Sequence, residues 1–246
     1  MDRLIYVAMT GAQQLLEKQA VAAHNLANAS TPGYKADISA FRAVPMTGPG
    51  QPTRAYAVET TPGADFTQGT VTETGRDLDA AINGPGFFAV QTTSGTEAYT
   101  RAGGFSVSAE GELTDAGRTV MGDGGPIAIP ENSKVSIGAD GTVSAVDLST
   151  PGGNVTTIGK LKLVTADPAQ LTKGPDGLFR TRNGQPLDGD DSVRITSGAI
   201  ESSNVNAVSA MVDMIDLARQ FDMQMKALST VDQNEQRATQ LLGTGG

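Results

Sequence analysis

His24 is the only histidine in the chain, and histidine is the residue type that most often serves as a catalytic base or metal ligand. Catalytic triads and metal sites that contain histidine recruit further ligands close by. The sequence around His24 contains neither an HxxxH nor an HExxH pattern. We therefore interpret His24 as a polar residue of a helix, and we predict neither catalytic residues nor a metal site.

A glycine-rich segment at 84–89 formally matches the G-x-G-x-x-A pattern of dinucleotide-binding loops. That pattern requires a helix directly after the glycines, because the helix N-terminus receives the pyrophosphate. Here the glycines are followed by Phe87 and Phe88, residues that favour a strand. The segment is interpreted as a turn that leads into a β region, and no cofactor is predicted.

The acidic segment 188–191, with the sequence DGDD, raises the alternative of a calcium site. It lacks both the D-x-[DN]-x-[DN]-G spacing and the distal glutamate of a calcium-binding loop. We favour a solvated hairpin turn, with weak cation binding as the alternative. No G-x-S-x-G motif occurs, and the sequence therefore predicts a protein that is not an enzyme.

Composition narrows the function classes further. The 246 residues carry a net charge of −9, which argues against a basic patch for nucleic acid or anionic lipid. No cysteine is present, so disulfides and thiolate chemistry are excluded. The apolar run from Leu4 to Met9 is too short for a secretory signal or a membrane span. We expect no nucleic-acid binding and no membrane insertion, in a chain that stays in the cytosol or is exported with its N-terminus intact.

The first 29 residues predict a helix with an apolar stripe of small side chains at heptad spacing. The predicted assembly seam of this helix is Ile5, Ala8, Ala12, Leu15, Ala22 and Leu26. Proline cannot continue a helix and glycine tolerates positive φ, so the helix is expected to stop at the following turn. The predicted stop signature is Asn25, Asn28, Thr31, Pro32 and Gly33.

The last 44 residues predict a longer helix, which begins at Ser203 or Asn204 and runs to about Leu242. At about 1.5 Å per residue it would be roughly 60 Å long, more than a small globular domain accommodates. Its predicted seam is Met214, Leu217, Phe221, Leu228, Val231 and Leu242. A stripe of this length predicts an assembly surface, and we expect this helix to be the main polymerisation element.

Between the helices, closely spaced turn signals separate short runs of β-forming residues. The predicted fold class is α+β: terminal helices forming a coiled-coil-like assembly domain, an inserted all-β small barrel or sandwich, and an extended linker. The predicted domains are 1–35 with 203–246 for the helical assembly, 36–78 with 186–202 for an extended or β linker domain, and 79–185 for the outer β domain.

Three segments together resemble the flagellar basal-body rod and hook protein family. The first is residues 20–35, where NLAN is followed by the turn TPGYK; the second is 68–113, with TGRDLDAAI, GFFAV and YTRAGGF; the third is 201–221, which begins ESSNVN. His24 stands where the family commonly has a second asparagine. Within this family the opening residues and the modest length are most similar to proximal-rod members, with a distal-rod or hook-type axial protein as the alternative.

The resemblance implies a structural subunit of the proximal rod that self-assembles through its terminal helices into the axial drive shaft, which transmits torque toward the hook. It implies export by the flagellar type III apparatus without a cleaved signal peptide, and a location in the periplasmic rod. It also implies copies of the chain itself and neighbouring proximal and distal rod subunits as partners. A secreted β-rich hydrolase or binding module with a helical stalk is the alternative from another class; it would need converging acid and base residues in a pocket.

Overall fold

The computed structural model of the chain describes residues 4–45, 55–149 and 154–243. Its α-helices are α1 (Leu4–Ala27) and α2 (Ala207–Gly243), and a short 3₁₀ helix spans Pro168–Gln170. The strands are β1 (Asp37–Pro45), β2 (Ala55–Ala64), β3 (Val71–Glu73), β4 (Ala80–Asn83), β5 (Phe87–Gln91), β6 (Glu97–Thr100), β7 (Phe105–Val107), β8 (Leu113–Asp115), β9 (Arg118–Gly122), β10 (Gly125–Pro126), β11 (Ser133–Ile137), β12 (Thr142–Asp147), β13 (Val155–Lys160), β14 (Leu163–Val164), β15 (Leu171–Lys173), β16 (Phe179–Thr181), β17 (Arg194–Ser197) and β18 (Ala199–Glu201).

The chain divides into two compact units. A helical unit contains α1, α2 and the two-stranded sheet of β1 and β2. A β unit contains residues 28–36 and 64–205. The predicted separation of residues 36–78 and 186–202 as a linker domain, distinct from an outer domain at 79–185, stays a prediction.

In the helical unit, α1 packs against both α2 and β1. Ala12 and Ala210 are buried, and the side chain of Gln224 lies against Gly11. The start of α2 is capped by Asn206, whose Oδ1 accepts a hydrogen bond from the Ser209 amide at 3.0 Å. This cap satisfies one of the amides that a helix N-terminus leaves without an intrahelical partner.

The β unit is organised around a nine-stranded sheet with the order β15-β16-β6-β5-β9-β8-β7, to which β10 adds beside β9 and β14 beside β5. Its main core lies under β5, where Phe88 meets Phe105 edge to face at 5.1 Å between ring centroids. A second apolar cluster contains Phe87 and Phe179. Phe87 and Phe88 are neighbours in β5, so their side chains point to opposite faces of the sheet, and each face is covered by one of the two clusters.

Three smaller sheets complete the β unit, and two of them bring distant parts of the chain together. The three-stranded sheet is β11-β12-β13, while β17 pairs with β4 and β18 pairs with β3. In the last pair Glu201 lies opposite Val71 and Ala199 opposite Glu73. This antiparallel register places the segment before α2 next to the start of the β unit.

The predicted fold class is wrong in its account of the helices. The described residues lie mostly in strands of several small sheets, and the two helices share their unit with β1 and β2. Among the seam residues whose side chains are described, Ala12 alone is buried, so no continuous coiled-coil seam forms. Small side chains bury little apolar area per residue, and a coiled coil depends on that burial. The stretch predicted as an extended or β linker contains β1, β2 and β3, and the inserted β region agrees with the structure.

Candidate functional site

The segment after α1 and the segment before α2 are hydrogen-bonded to each other within the β unit. The Gly33 amide donates to the Glu201 carbonyl at 2.7 Å, and the Asn204 amide donates to the Tyr34 carbonyl at 3.3 Å. The Ala36 amide donates to Asn204 Oδ1 at 2.8 Å. We call this contact between residues 33–36 and 199–204 the junction.

Glu201 lies at the centre of the junction, and its side chain is fully buried. Its Oε1 accepts hydrogen bonds from Lys35 Nζ at 2.6 Å and from the Gly69 amide at 3.0 Å. Its Oε2 accepts from Arg101 Nε at 2.8 Å, and Arg101 Nη2 lies 2.6 Å away. Four donors on one carboxylate replace the water that burial removes, which such a charge requires.

The two cations around Glu201 are also buried, and each has further acceptors. Lys35 Nζ donates to the Thr67 carbonyl at 2.7 Å. Arg101 Nη1 donates to the carbonyls of Gly84 at 2.7 Å and Gly86 at 2.8 Å. Burial lowers the pKa of Lys35, while the hydrogen bond and attraction to Glu201 oppose that shift. Because two cations surround one anion, the fold depends on Glu201 to offset both.

Gly33 allows the chain to approach the cluster this closely. Its φ is +67°, and a Cβ at this position would lie 2.2 Å from the Ala102 amide nitrogen. Only glycine tolerates both the left-handed backbone and that separation. The turn predicted as a helix stop therefore also carries Tyr34 and Lys35 into the β unit.

Tyr34 and Asn204 attach the junction to neighbouring strands. Lys173 Nζ lies 3.7 Å from the centroid of the Tyr34 ring and donates to the Lys35 carbonyl at 2.6 Å. Asn204 Nδ2 donates to the carbonyls of Asp65 at 2.8 Å and Thr67 at 3.1 Å. The 33–36 side of the junction is thus attached to Lys173, and the 199–204 side is attached to Asp65 and Thr67.

The structure distributes the sequence-predicted residues between the two units. Among residues of the N-terminal seam, Ala12 is buried, Leu15, Ala22 and Leu26 are half-buried, and the side chains of Ile5 and Ala8 lie outside the described residues. In the C-terminal seam, Met214, Leu217, Phe221 and Leu228 are half-buried, while the side chains of Val231 and Leu242 lie outside the described residues.

The predicted helix boundaries differ in detail from those observed. The N-terminal helix ends at Ala27, and the Asn25 side chain exchanges hydrogen bonds with the Asp37 backbone at 2.7 and 2.9 Å. Asn28 Oδ1 accepts from Thr31 Oγ1 at 3.2 Å, within the turn that Pro32 and Gly33 complete. The C-terminal helix begins at Ala207 with Asn206 as its cap, and Asn204 serves the junction instead.

Sequence reasoning did not foresee the ionic cluster as a site. Lys35 and Glu201 are separated by 166 residues, and Arg101 lies 100 residues before Glu201. Charged residues are normally solvated, and nothing local marks these three as buried. One signal was available: Lys35, Arg101 and Glu201 each lie in a separate segment among the three on which the family resemblance rests.

No group of three or more potential metal-ligating side chains comes together in the described ranges. An open groove of about 730 Å³ is lined by residues 75–78, 107–111 and 129–135 with Leu148. No described helix is both long and apolar enough to cross a membrane. His24 Nδ1 lies 2.6 Å from Asp37 Oδ2, which ties α1 to β1.

Three family models match the chain in sequence order. "Flagella basal body rod protein" matches residues 5–35, the hook protein FlgE/F/G D1 domain matches 81–145, and the "Flagellar basal body rod FlgEFG protein C-terminal" model matches 196–241. Each matched region contributes one member of the ionic cluster: Lys35, Arg101 and Glu201 respectively. The cluster is therefore where the three matched regions meet.

The chain also resembles flagellar basal-body rod proteins along nearly its whole length. The chain is 49% identical to the flagellar basal-body rod protein FlgF of Escherichia coli, over 98% of this chain and 99% of the relative. It is 48% identical to FlgF of Salmonella typhimurium over the same shares. It is 30% identical to the flagellar basal-body rod protein FlgG of Buchnera aphidicola, over 96% of this chain and 98% of the relative.

Proposed function

Because the chain belongs to the flagellar basal-body rod protein family, we propose that it is a structural subunit of the proximal rod of the bacterial flagellum. The observation that carries the proposal is the identity of 49% to a FlgF protein along nearly the whole of both chains. A rod subunit works by assembling and by bearing load. The alternative is a distal-rod or hook-type axial protein, which the 30% identity to FlgG favours less.

The junction supports a load-bearing function. Torque on a rod subunit must pass between its helices and its β unit, and both connecting segments, 28–36 and 199–205, are bonded to one buried cluster. A carboxylate with four hydrogen bonds is held in one geometry, because every alternative leaves a buried charge unpaired. The cluster thus resists separation of the two connecting segments under shear.

The helices supply the assembly element in this proposal. The seam residues of α1 and α2 whose side chains are described are buried or half-buried within the helical unit. In this proposal neighbouring subunits contact that unit in the rod. The partners are copies of this chain and adjacent proximal and distal rod subunits. We propose a location in the periplasmic part of the basal body, export by the flagellar type III apparatus without cleavage, and no catalytic activity.

Deletion of the gene, followed by electron microscopy of isolated basal bodies, tests the proposal. We expect basal bodies without a complete rod, loss of swimming, and recovery of both when the chain is supplied again. Immunogold labelling of a tagged, functional chain should mark the half of the rod nearer the inner membrane. An intact rod in the deletion strain would overturn the structural function, and label near the hook would favour the distal-rod alternative.

A further inference from the structure

Asn-Gly dipeptides are positions at which a polypeptide readily modifies itself. The backbone nitrogen of the residue after asparagine attacks the side-chain carbonyl carbon, and glycine obstructs this approach least because it has no Cβ. The sequence contains two such dipeptides, Asn83-Gly84 and Asn183-Gly184. Both asparagines are exposed in the β unit, and both glycines have positive φ with open space around a Cβ. Sequence and exposure alone therefore do not distinguish the two sites.

Strand pairing and side-chain contacts hold the first dipeptide in place. Asn83 is the last residue of β4, whose other residues are buried, and it pairs with Arg194 of β17. Its Oδ1 accepts a hydrogen bond from Thr196 Oγ1 at 3.1 Å. The Gly84 carbonyl accepts from Arg101 Nη1 at 2.7 Å, and Arg101 belongs to the buried ionic cluster. Attack by the Gly84 nitrogen requires rotation of the Asn83 backbone, which would disrupt these contacts.

The second dipeptide lies in an exposed turn that follows β16. The pairing of β16 with β15 ends at Thr181, two positions before Asn183. The Gly184 amide donates to the Thr181 carbonyl at 3.1 Å, and this bond must open before the nitrogen can attack. Local opening of an exposed turn requires much less free energy than separation of strands that cover a core. The fold therefore leaves Asn183 free to react where it restrains Asn83.

A hydrogen bond within the same turn favours the reaction at Asn183. Its Oδ1 accepts from the Gln185 amide at 3.0 Å. Attack on the side-chain carbonyl carbon places negative charge on that oxygen, and an N–H group directed at the oxygen stabilises the charge. The donor to Asn83 Oδ1 is Thr196 on the neighbouring strand, and it holds that side chain against β17 instead.

We propose that Asn183 deamidates spontaneously in the folded protein, whereas the fold protects Asn83. The Gly184 nitrogen gives up its proton to solvent and bonds to Asn183 Cγ, while the side-chain nitrogen takes up a proton and leaves as ammonia. Water then opens the resulting succinimide ring at either of its carbonyls. The products are aspartate and isoaspartate, in which the backbone passes through the side chain. The net change is uptake of one water and release of one ammonia, without an enzyme or cofactor.

Isoaspartate at this position alters the segment that follows the turn. It adds one carbon to the backbone between β16 and Leu187. Leu187 packs against the second apolar cluster, and its amide donates to Tyr99 Oη at 2.7 Å. Either product also adds a negative charge to a chain whose net charge is already −9. The modification thus marks the age of a chain within its β unit, and it does not depend on assembly into a rod.

Peptide mass spectrometry tests the proposal on the purified full chain. The chain is incubated for several days at mildly alkaline pH, folded or in guanidinium chloride, and then digested with trypsin at mildly acidic pH. Cleavage after arginine places Asn83 in the peptide 77–101 and Asn183 in the peptide 183–194. In the folded chain, we expect peptide 183–194 to deamidate at least about tenfold faster, a ratio that needs only about 1.4 kcal/mol of added barrier at Asn83. In guanidinium chloride the two rates should be similar.

Isoelectric focusing of the intact folded chain supplies the matched controls. Wild type and Asn83→Gln should both accumulate a more acidic species, and Asn183→Gln should accumulate much less, because glutamine must form a less favourable six-membered ring. Equal rates at both sites in the folded chain would overturn the protection of Asn83. Deamidation of peptide 183–194 in guanidinium chloride alone, or an undiminished acidic species from Asn183→Gln, would overturn the assignment of Asn183. Each of these results would leave the proposed function in place.

Discussion

Lys35 Nζ lies 2.6 Å from Glu201 Oε1, and both side chains of this ion pair between distant parts of the chain are buried. A buried pair contributes little net stability when compared with an apolar replacement of the same shape. Removal of only one member of the pair is costly, because the charge of the other member stays buried without a partner. Loss of the Glu201 charge would leave two buried cations, Lys35 and Arg101, without their counter-charge.

Glu201→Gln should therefore destabilise the β unit strongly. We expect the free energy of unfolding to fall by about 3–5 kcal/mol, the usual cost of breaking a buried ion pair. Urea denaturation followed by circular dichroism and tyrosine fluorescence measures the change. Glu73→Gln, at an exposed position on the paired strand, is the matched control and should leave the midpoint unchanged. Equal midpoints for the two variants would contradict the function assigned to the cluster.

Gly33→Ala tests the close approach at the junction. A methyl group there would lie 2.2 Å from the Ala102 nitrogen, so the strands must separate. Gly95→Ala is the matched control, because Gly95 also has positive φ, +81°, but nothing within 4 Å of a Cβ. We expect the control to lose about 1 kcal/mol from backbone strain alone. The free energy lost by Gly33→Ala should exceed that, and a loss no greater than the control's would show that the contact is unimportant.

Ala116→Asn should stabilise the β unit. Ala116 and Gly117 form the two-residue loop between β8 and β9, with φ values of +47° and +80°. Turns with positive φ at both positions favour Asn-Gly, and alanine is strained there. We expect a gain of about 1 kcal/mol in the free energy of unfolding, from thermal denaturation. Ala109→Asn, at an exposed turn position without positive φ, should give no gain.

Asp115 and Asp140 should affect the pH dependence of stability in opposite directions. Burial raises the pKa of Asp115, against the attraction of Arg118 4.0 Å away. A raised pKa means that the folded state holds the proton more tightly, so the contribution to stability is present at low pH and lost as pH rises through the folded pKa. Asp115→Asn should therefore gain stability over wild type at about pH 7 and lose that gain near pH 3.

Asp140 provides the reverse case. Hydrogen bonds from the Thr142 hydroxyl at 2.7 Å and amide at 3.1 Å lower the pKa of this exposed carboxylate. Its contribution is present above its unfolded pKa and lost as pH falls. Asp140→Asn should be less stable than wild type at about pH 7 and equal to it near pH 3. Urea midpoints of wild type and both variants, measured at the two pH values, test these predictions. A change in stability of the same sign for both variants at about pH 7 would refute the opposite pKa shifts of Asp115 and Asp140.

Phe221→Asp tests the predicted seam of α2. Phe221 is half-buried, so an aspartate there places a charge in the helix contact at a cost of about 2 kcal/mol or more. We expect loss of swimming while the β unit keeps its protease resistance. Gln220→Asp introduces the same charge at an exposed neighbouring position and should swim normally. A motile Phe221→Asp strain would show that this stripe is not needed for assembly.

The parts of the fold that sequence predicts well are those with local signals. The heptad stripes, the TPG turn and the hairpin turns each act over a few residues, and helices and strands occur where these signals place them. The coiled-coil prediction was wrong because spacing alone does not reveal how completely a stripe is covered. Leu15 and Met214 have the right spacing, yet their side chains are only half-buried.

The ionic cluster marks the limit of single-sequence reasoning. Lys35, Arg101 and Glu201 could be recognised as parts of family segments, but their contact depends on strand pairings across the whole chain. The register between β18 and β3 decides that Glu201 points inward, and a shift of one residue would turn it to the other face. Such pairings are non-local, and no periodicity within either strand fixes them.

Glu201 lies shortly before α2, so the β unit cannot complete its ionic cluster until this segment has joined Lys35 and Arg101. A chain that lacks this region leaves Lys35 and Arg101 without their shared counter-charge, at the cost that buried unpaired charges carry. A polypeptide that ends before residue 201 is therefore not expected to form a stable β unit.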